Sequence, residues 1–477
     1  MRTERVSFAV VVVISFVCIA NSIAAVPTIF PICTWAGEQS YPAVSGNYVV
    51  WQDKRDGALG YDIYRNNPAN MKDANGQPLC VVNRDQKLSA ISGNIVVCQD
   101  YRNSSTTANP DIYYYRWPSD NIGTAVCTVS ACKQQNPAIS ENVIVWEDDR
   151  NTNTKPDIYG YDLTTGEFII CDLAAAQSYP AISGNIVVWQ DSRNDISGDP
   201  NSDIYGRHID TNVEFAICKA AGAQQKPAIS GTYVVWQDNR SGIPDGDPNN
   251  DIYGKDIDTN TEFVICKAPG EQVNVAISGD IVVWEDQSGA NSNIYGYKIS
   301  TKETFEICTL AGNQRNPAIS GNLVVWQDDS NSVSGINIYG EYLPSTVTVL
   351  DPNGGEMLKA GSTCLIQWCG SDSIRRVKIE YSKTGDVPFL PITDVNATPG
   401  SYEWQIPQDA NSTQCIVKIS DKDNPDTNDT SNNVFTIFKC SLTADLSGDC
   451  YVDFEDFAIF SGQWLECGNP YDPHWCP

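Results

Sequence analysis

Between Asp445 and Asp456 the chain reads Asp-Leu-Ser-Gly-Asp-Cys-Tyr-Val-Asp-Phe-Glu-Asp. Asp445, Ser447, Asp449, Asp453 and Asp456 set side-chain oxygens at the first, third, fifth, ninth and twelfth places, and the Tyr451 carbonyl falls at the seventh. Calcium takes six to eight oxygen ligands, and a tight turn with this alternation aims them inward. Calcium is therefore the cofactor that these residues imply. Glu455, at the eleventh place, should point outward, and Val452 should anchor the loop to a core. Phe457, Phe460 and Trp464 should share one face of the helix that follows.

Other chemistry has little material. His208 and His474 are the only histidines, so zinc sites and imidazole-based proton transfer are poorly supplied and carboxylates must carry any reaction. Asp53, Asp100, Asp148, Asp191, Asp238, Asp286 and Asp328 recur in step, as do Gln39, Gln86, Gln134, Gln177, Gln224, Gln272 and Gln314. A reaction centre needs unlike groups converging once. Seven like ones are read as loop residues that satisfy backbone groups. Two long loops bring Asp195, Asp199, Asp203, Asp245, Asp247 and Asp251, candidates for calcium or ligand binding and equally ordinary hairpin residues. The formal net charge is −28, a surface that repels nucleic acid and anionic lipid.

The elements that must position these groups start with an export signal. Arg2, Glu4 and Arg5 precede an apolar run from Phe8 to Ala20, followed by Ser22-Ile23-Ala24, so residues 1–25 read as a signal peptide. Bulky Phe16 and Val17 before Cys18 argue against lipid attachment. The run is too short for a comfortable transmembrane helix and no second one approaches the required length, so no membrane span is expected. The chain reads as extracellular, secreted or associated with the cell surface.

Repetition organises the next two thirds. Seven copies of a motif, YPAVSGNYVVWQD in the first and NPAISGNLVVWQD in the last, begin at Tyr41, Leu88, Asn136, Tyr179, Lys226, Asn274 and Asn316. Each leads through a polar loop into a strand carrying Ile-Tyr, then into a short strand ending in cysteine. Those cysteines, from Cys33 to Cys308, are 42 to 48 residues apart. This period with four short strands is the mark of a β-propeller. Tryptophans from Trp51 to Trp326, with Cys98 in place of one, read as packing between blades. Because Cys33 precedes the first copy and the last copy lacks a fourth strand, the N-terminal strand should complete blade seven and abolish the open edge. Blade cysteines in matching places should be too far apart to bridge. The PAISGNIVVWQD and DIYGYDL motifs resemble propeller repeats of bacterial and archaeal cell-surface proteins, similar in pattern to TolB-like propellers; the resemblance implies an interaction platform.

Beyond residue 344 the periodicity stops. VTVL, CLIQW, VKIEY, YEWQI, CIVKI and VFTIF alternate apolar and polar residues through 345–438, which reads as a β-sandwich. PNGGE and AGSTCLIQW resemble immunoglobulin- or fibronectin-like modules. Cys364 or Cys369 is expected to bridge to Cys415, the choice between them being open.

The acidic loop, across residues 440–467, is similar to a dockerin-type repeat, the calcium-dependent docking element of polysaccharide-degrading complexes. That resemblance implies Asp445, Ser447, Asp449, Asp453 and Asp456 as side-chain ligands and a cohesin-like docking partner. Two features depart from it: no second loop follows, and Cys450 stands where glycine is usual. Cys440, Cys450, Cys467 and Cys476 are expected to staple so small a unit. The reading is thus all-β: a signal peptide (1–25), a seven-bladed β-propeller (26–344), a β-sandwich (345–438) and a dockerin-like, EF-hand-type loop and helix (439–477). Two functions fit it. One is a binding or assembly protein for an extracellular protein or polysaccharide; the other is a carbohydrate-active hydrolase or lyase, recognisable by two carboxylates converging in the propeller funnel.

Overall fold

The computed structural model describes residues 29–463, except 56–59, 69–75, 104–108, 121, 130–131, 152–154, 195–200, 241–248, 331–334, 372–373, 375, 423–424, 426, 440–443, 447–449 and 451. They divide into two compact units, one within Ala25–Pro344 and one from Ser345 onward.

The repeat folds as its alternation demands. In the first copy, Gln39–Ser45, Tyr48–Asp53, Asp62–Asn66 and Gln77–Cys80 form a four-stranded antiparallel sheet. Six more such sheets follow, with innermost strands Gln86–Ser92, Gln134–Ser140, Gln177–Ser183, Gln224–Ser230, Gln272–Ser278 and Gln314–Ser320. We number them one to seven. The outer strand of sheet seven is Phe30–Cys33, which pairs antiparallel with Asn337–Tyr342. The first strand of the described residues thus completes the last sheet, and innermost strands touch in a closed cycle that includes sheets seven and one.

Apolar burial lies between the sheets. Sheet seven gives Leu323, Val325 and Ile338 to a cluster with Val49, Trp51 and Tyr64 of sheet one, and Ile32 and Cys33 of the N-terminal strand join it. Each remaining interface repeats the pattern around Trp146, Trp189, Trp236, Trp284 and Trp326, all buried. Sheet two has Cys98 instead, and Tyr115 occupies its interface with a fully buried ring. In sheet three, Gly160 admits the Phe168 ring so closely that a Cβ would lie 2.5 Å from it. Cys80, Cys127, Cys171, Cys218, Cys266 and Cys308 are free thiols.

The second unit has two sheets around one core. Val347–Asp351, Thr363–Gly370 and Ser401–Gln405 form the smaller; Met357–Lys359, Phe435–Phe438, Ser412–Asp421, Arg376–Ser382 and Leu390–Asn396 run in that order across the larger, with Asn428–Thr430 paired to Ser412–Asp421. Ile366, Trp368 and Trp404 from one sheet meet Ile379, Val417 and Phe435 from the other. The bridge expected to Cys415 is not formed: Cys415 and Cys364 are free, packed as core side chains. Cys369 is disulfide-bonded, but alternation along Thr363–Gly370 turns it to the face opposite Cys364 and the core. No helix among the described residues is long and apolar enough to cross a membrane.

Two predictions follow from the ring. Deleting Phe30–Cys33 strips sheet seven of its outer strand, so the melting temperature should fall and aggregation through the bared edge should appear; an unchanged melt would refute closure by this strand. The second concerns Glu341. Its sister positions carry donors: Asn66 Nδ2 donates to the Ile32 carbonyl at 2.9 Å, Lys255 Nζ to that of Ile217 at 3.0 Å, and Arg207 to that of Ile170. Glu341 is 3% exposed, and burial pushes its carboxyl up to about 7. A raised folded-state value means full stability below the ordinary glutamate range and loss as pH rises through 7. Relative to Glu341→Gln, the wild type should lose about 2 to 3 kcal/mol between pH 4.5 and 7.5 in denaturant titrations.

Candidate functional site

The seven innermost strands share a departure from regular geometry. Each has a register shift beside its second strand, as between Ser40 and Ala43 in sheet one. At each bulge one non-glycine residue takes a left-handed conformation: Tyr41, Leu88, Asn136, Tyr179, Lys226, Asn274 and Asn316, with φ from 46° to 52°. Asparagine tolerates this region; tyrosine, leucine and lysine are strained there. Strain persists only where surroundings impose it, and here a hydrogen bond does. The N–H of each left-handed residue donates to a side-chain oxygen of the preceding sheet, Tyr41 to Gln327, Leu88 to Gln52, Asn136 to Gln99, Tyr179 to Glu147, Lys226 to Gln190, Asn274 to Gln237 and Asn316 to Glu285, at 2.6 to 3.4 Å.

These seven residues, with the residue after each, line one central opening of about 320 Å³. That volume is at the small end for ligand pockets. The bulge residue also differs in chemistry between copies, being asparagine in three, tyrosine in two, and leucine and lysine in one each. Tyr41 and Tyr179 are 45% and 40% exposed. Lys226 Nζ stands 5.7 Å from the centre of the Tyr179 ring and donates to Asn274 Oδ1 at 3.5 Å.

Behind the lining lie two buried carboxylates, Glu147 and Glu285, where five sheets have glutamine. Glu147 Oε1 accepts from the Tyr179 N–H and from Asn136 Nδ2 at 2.7 Å, and its Oε2 accepts from Gln135. Glu285 accepts from the Asn316 N–H, Asn274 Nδ2 and Gln287. Burial pushes the Glu147 carboxyl up, and those hydrogen bonds oppose the shift. Both carboxylates are engaged in holding the wall.

The repeated aspartates behave as loop residues. In sheets one to five their Oδ1 accepts the N–H two residues on, and Oδ2 pairs with Arg55, Arg102, Arg150, Arg193 or Arg240 at 2.6 to 2.7 Å. The indoles of Trp51, Trp146, Trp189 and Trp236 donate to the same oxygens, and that of Trp326 to Asp328 Oδ2, at 2.7 to 3.2 Å. Gln86, Gln177, Gln224 and Gln272 donate to carbonyls two residues back. Of the loop aspartates, Asp195, Asp199, Asp245 and Asp247 lie outside the described residues. Asp203 and Asp251 open strands and are buried, Asp203 accepting from Asn194.

In the tail, Ser447, Asp449, Tyr451 and Trp464 lie outside the described residues. Asp445 Oδ2 accepts the Cys450 N–H at 2.8 Å, and Cys450, with φ of 76°, takes the left-handed conformation that glycine would adopt easily. Cys450 is disulfide-bonded. Asp456 is 3% exposed, its two oxygens accepting the N–H groups of Leu446 and Asp453. Asp453 in turn accepts the Glu455 N–H, which with Asp456 makes a reciprocal cap on the helix Phe454–Gln463. Val452 is 55% exposed and does not anchor the loop; Asp456 does, because it ties both loop arms to the helix. Phe457 and Phe460 are exposed on that helix.

No family model and no curated protein matches the sequence. Solved structures do resemble it. The β-propeller domain of the Trilobed protease from Pyrococcus furiosus gives a TM-score of 0.50 at 12% identity, over 64% of this chain and 95% of that one. The likeness is one of fold. Oligogalacturonate lyase from Vibrio parahaemolyticus (0.48, 12% identity, 66% and 91% covered) and TolB from Acinetobacter baumannii (0.37, 16% identity, 64% and 79% covered) are more distant. The chain is accordingly an all-β repeat protein of β-propeller type.

Sequence reasoning passed over both the bulge ring and its Gln/Glu supports. Their signal was present: the residue before the repeated aspartate is only ever glutamine or glutamate, and the first residue of each copy changes between polar, aromatic, aliphatic and basic types. Glu147→Gln, the choice of five sister sheets, should leave stability nearly unchanged. Glu147→Leu strands the Tyr179 N–H and should cost about 1 to 3 kcal/mol in denaturant unfolding.

Proposed function

We propose that this chain is a secreted binding and assembly protein acting on extracellular polysaccharide or a protein associated with it. In this reading residues 1–25 are an export signal and 26–344 a seven-bladed β-propeller presenting the binding surface. An immunoglobulin- or fibronectin-like β-sandwich (345–438) connects it to a dockerin-like tail (439–477). The observation that carries the reading is the ring of left-handed residues around one opening, differing in chemistry from copy to copy and each held by a Gln or Glu side chain of the preceding sheet. The glutamates nearest that opening each take three hydrogen bonds from the wall. This favours recognition over bond cleavage.

The tail is assigned one calcium ion, held by Asp445, Ser447, Asp449, the Tyr451 carbonyl, Asp453 and Asp456. The described residues suit it: Asp445 closes the turn on a left-handed sixth residue, and Asp456 fastens the twelfth position to the first arm. Bound calcium would neutralise the crowded carboxylates and order the segment for a cohesin-like partner.

Calorimetry on the full chain tests the tail. The wild type should take up one calcium, Asp445→Ala and Asp456→Ala should each weaken uptake at least a hundredfold, and Glu455→Ala should be nearly silent. Absence of uptake, or equal loss with Glu455→Ala, removes the calcium loop. Release of reducing sugars from plant or algal polysaccharides would replace the binding reading with an enzymatic one.

A further inference from the structure

The side chains around the central opening are oriented by what stands behind them. An oxygen that already receives a backbone N–H can only accept again. Glu147 Oε1, Glu285 Oε2 and Gln327 Oε1 are such atoms, receiving the N–H groups of Tyr179, Asn316 and Tyr41. Each also takes a side-chain amide from the lining: Asn136 Nδ2 at 2.7 Å, Asn274 Nδ2 at 2.9 Å and Asn316 Nδ2 at 2.8 Å. One N–H of each amide is therefore committed to the wall, which fixes the orientation of the three carbonyl oxygens and leaves each asparagine one acceptor oxygen and one further N–H for a ligand. The lining adds one cation, Lys226, and the two half-exposed rings of Tyr41 and Tyr179.

Charge narrows the ligand further. Glu147 and Glu285 sit directly behind Asn136 and Asn274, with the Arg315 guanidinium 3.9 Å from Glu285, so an acidic ligand would meet the buried Glu147 carboxylate as well as the Lys226 ammonium. A cationic ligand would have to displace Lys226 from the Tyr179 face and from Asn274 Oδ1. A neutral ligand that mainly donates hydrogen bonds and carries an apolar face meets neither obstacle. Hydroxyl-rich saccharides have that character: hydroxyls can donate to three fixed oxygens and accept from Lys226, while a pyranose face lies on tyrosine.

We propose that the central opening binds a single unit of a neutral saccharide, with Asn136, Asn274 and Asn316 as acceptors, Lys226 as donor and Tyr41 and Tyr179 as platforms. This rests on the reading of the ring as a binding module and names its ligand class. Glu147 and Glu285 are positioning residues that act through the asparagines.

The test uses the full chain and calorimetry against hexasaccharides of glucose, mannose, xylose and galactose, with hexagalacturonate as the acidic comparison. At least one neutral hexasaccharide should bind and hexagalacturonate should not. Asn136→Leu with Asn274→Leu should weaken binding at least tenfold. Leucine is accommodated at this bulge in sheet two by Leu88, and an unchanged melt will confirm folding. A double variant that melts early is replaced by Lys226→Asn, the residue of three sister bulges, which should also weaken binding several-fold. Neutral binding that survives these changes overturns the site while leaving the binding reading intact. Preference for hexagalacturonate overturns the charge argument, and no binding of any neutral probe overturns the ligand class. Saccharide cleavage during the titration would instead strike the broader reading.

Discussion

One hydrogen bond, made seven times, holds the ring together: a Gln or Glu side chain in one sheet receives the N–H of a left-handed residue in the next. It fixes neighbouring sheets in register at their inner edges and secures a backbone conformation that tyrosine, leucine or lysine would not hold unaided. A second cycle reinforces it farther along the same strands, where the serine hydroxyl of each hairpin accepts the N–H of the next, from Ser45 to Gly93 around to Ser320 and Gly46. Because these bonds use backbone donors on one side, they form whichever side chain the bulge carries. That side chain can then change from copy to copy without loosening the frame.

The frame also tolerates exchange when partners change together. Sheet two lacks the tryptophan of its sisters, and there the Tyr115 hydroxyl approaches Asp100 Oδ2 at 3.3 Å, where an indole N–H lies elsewhere. Sheets one to five carry an arginine beside the repeated aspartate, with its guanidinium over Tyr64, Tyr113, Tyr159, Tyr205 or Tyr253 at 3.8 to 4.2 Å. In those sheets the residue opposite is a second aspartate, from Asp62 to Asp251. Sheets six and seven have Ser288 and Ser330 in place of arginine and Asn293 and Asn337 in place of the second acid. Cation and extra carboxylate come and go as a pair, as burial requires when one charge must answer another. Asp111 and Asp157, both pushed up by burial, show how near the limit these carboxylates sit.

Much of this architecture was legible because repetition multiplies weak signals. A Trp-Gln-Asp triplet seen once says little; seen four times, with Trp-Glu-Asp twice and Cys-Gln-Asp once in the same register, beside a strand that precedes the first copy, it specifies sheets and closure. The conformation of Tyr41 or Lys226 was not legible, because the left-handed residue precedes a proline in most copies, and that neighbour argues for extended backbone. Only the tertiary hydrogen bond reverses the preference. The cysteines misled for a related reason: Cys364 and Cys369 are close in sequence, yet strand alternation sends them to opposite faces. In the tail, the acidic spacing directed attention to Asp445 and Asp456, but the hold of Asp456 on two backbone amides lay beyond what spacing alone can express.

Closure by the first strand sets an order of events in the making of the protein. Phe30–Cys33 emerges early and has no sheet to join until Asn337–Tyr342 has been made some 300 residues later. Six sheets can be completed from local sequence alone, each within one repeat. The seventh is a contact of the highest sequence separation in the unit and bears the full entropy of bringing distant segments together. The ring is therefore an arrangement of the complete repeat unit: a nascent or truncated chain can own correctly formed sheets and still have no central opening. Whatever that opening recognises, it can recognise only in molecules that have been finished.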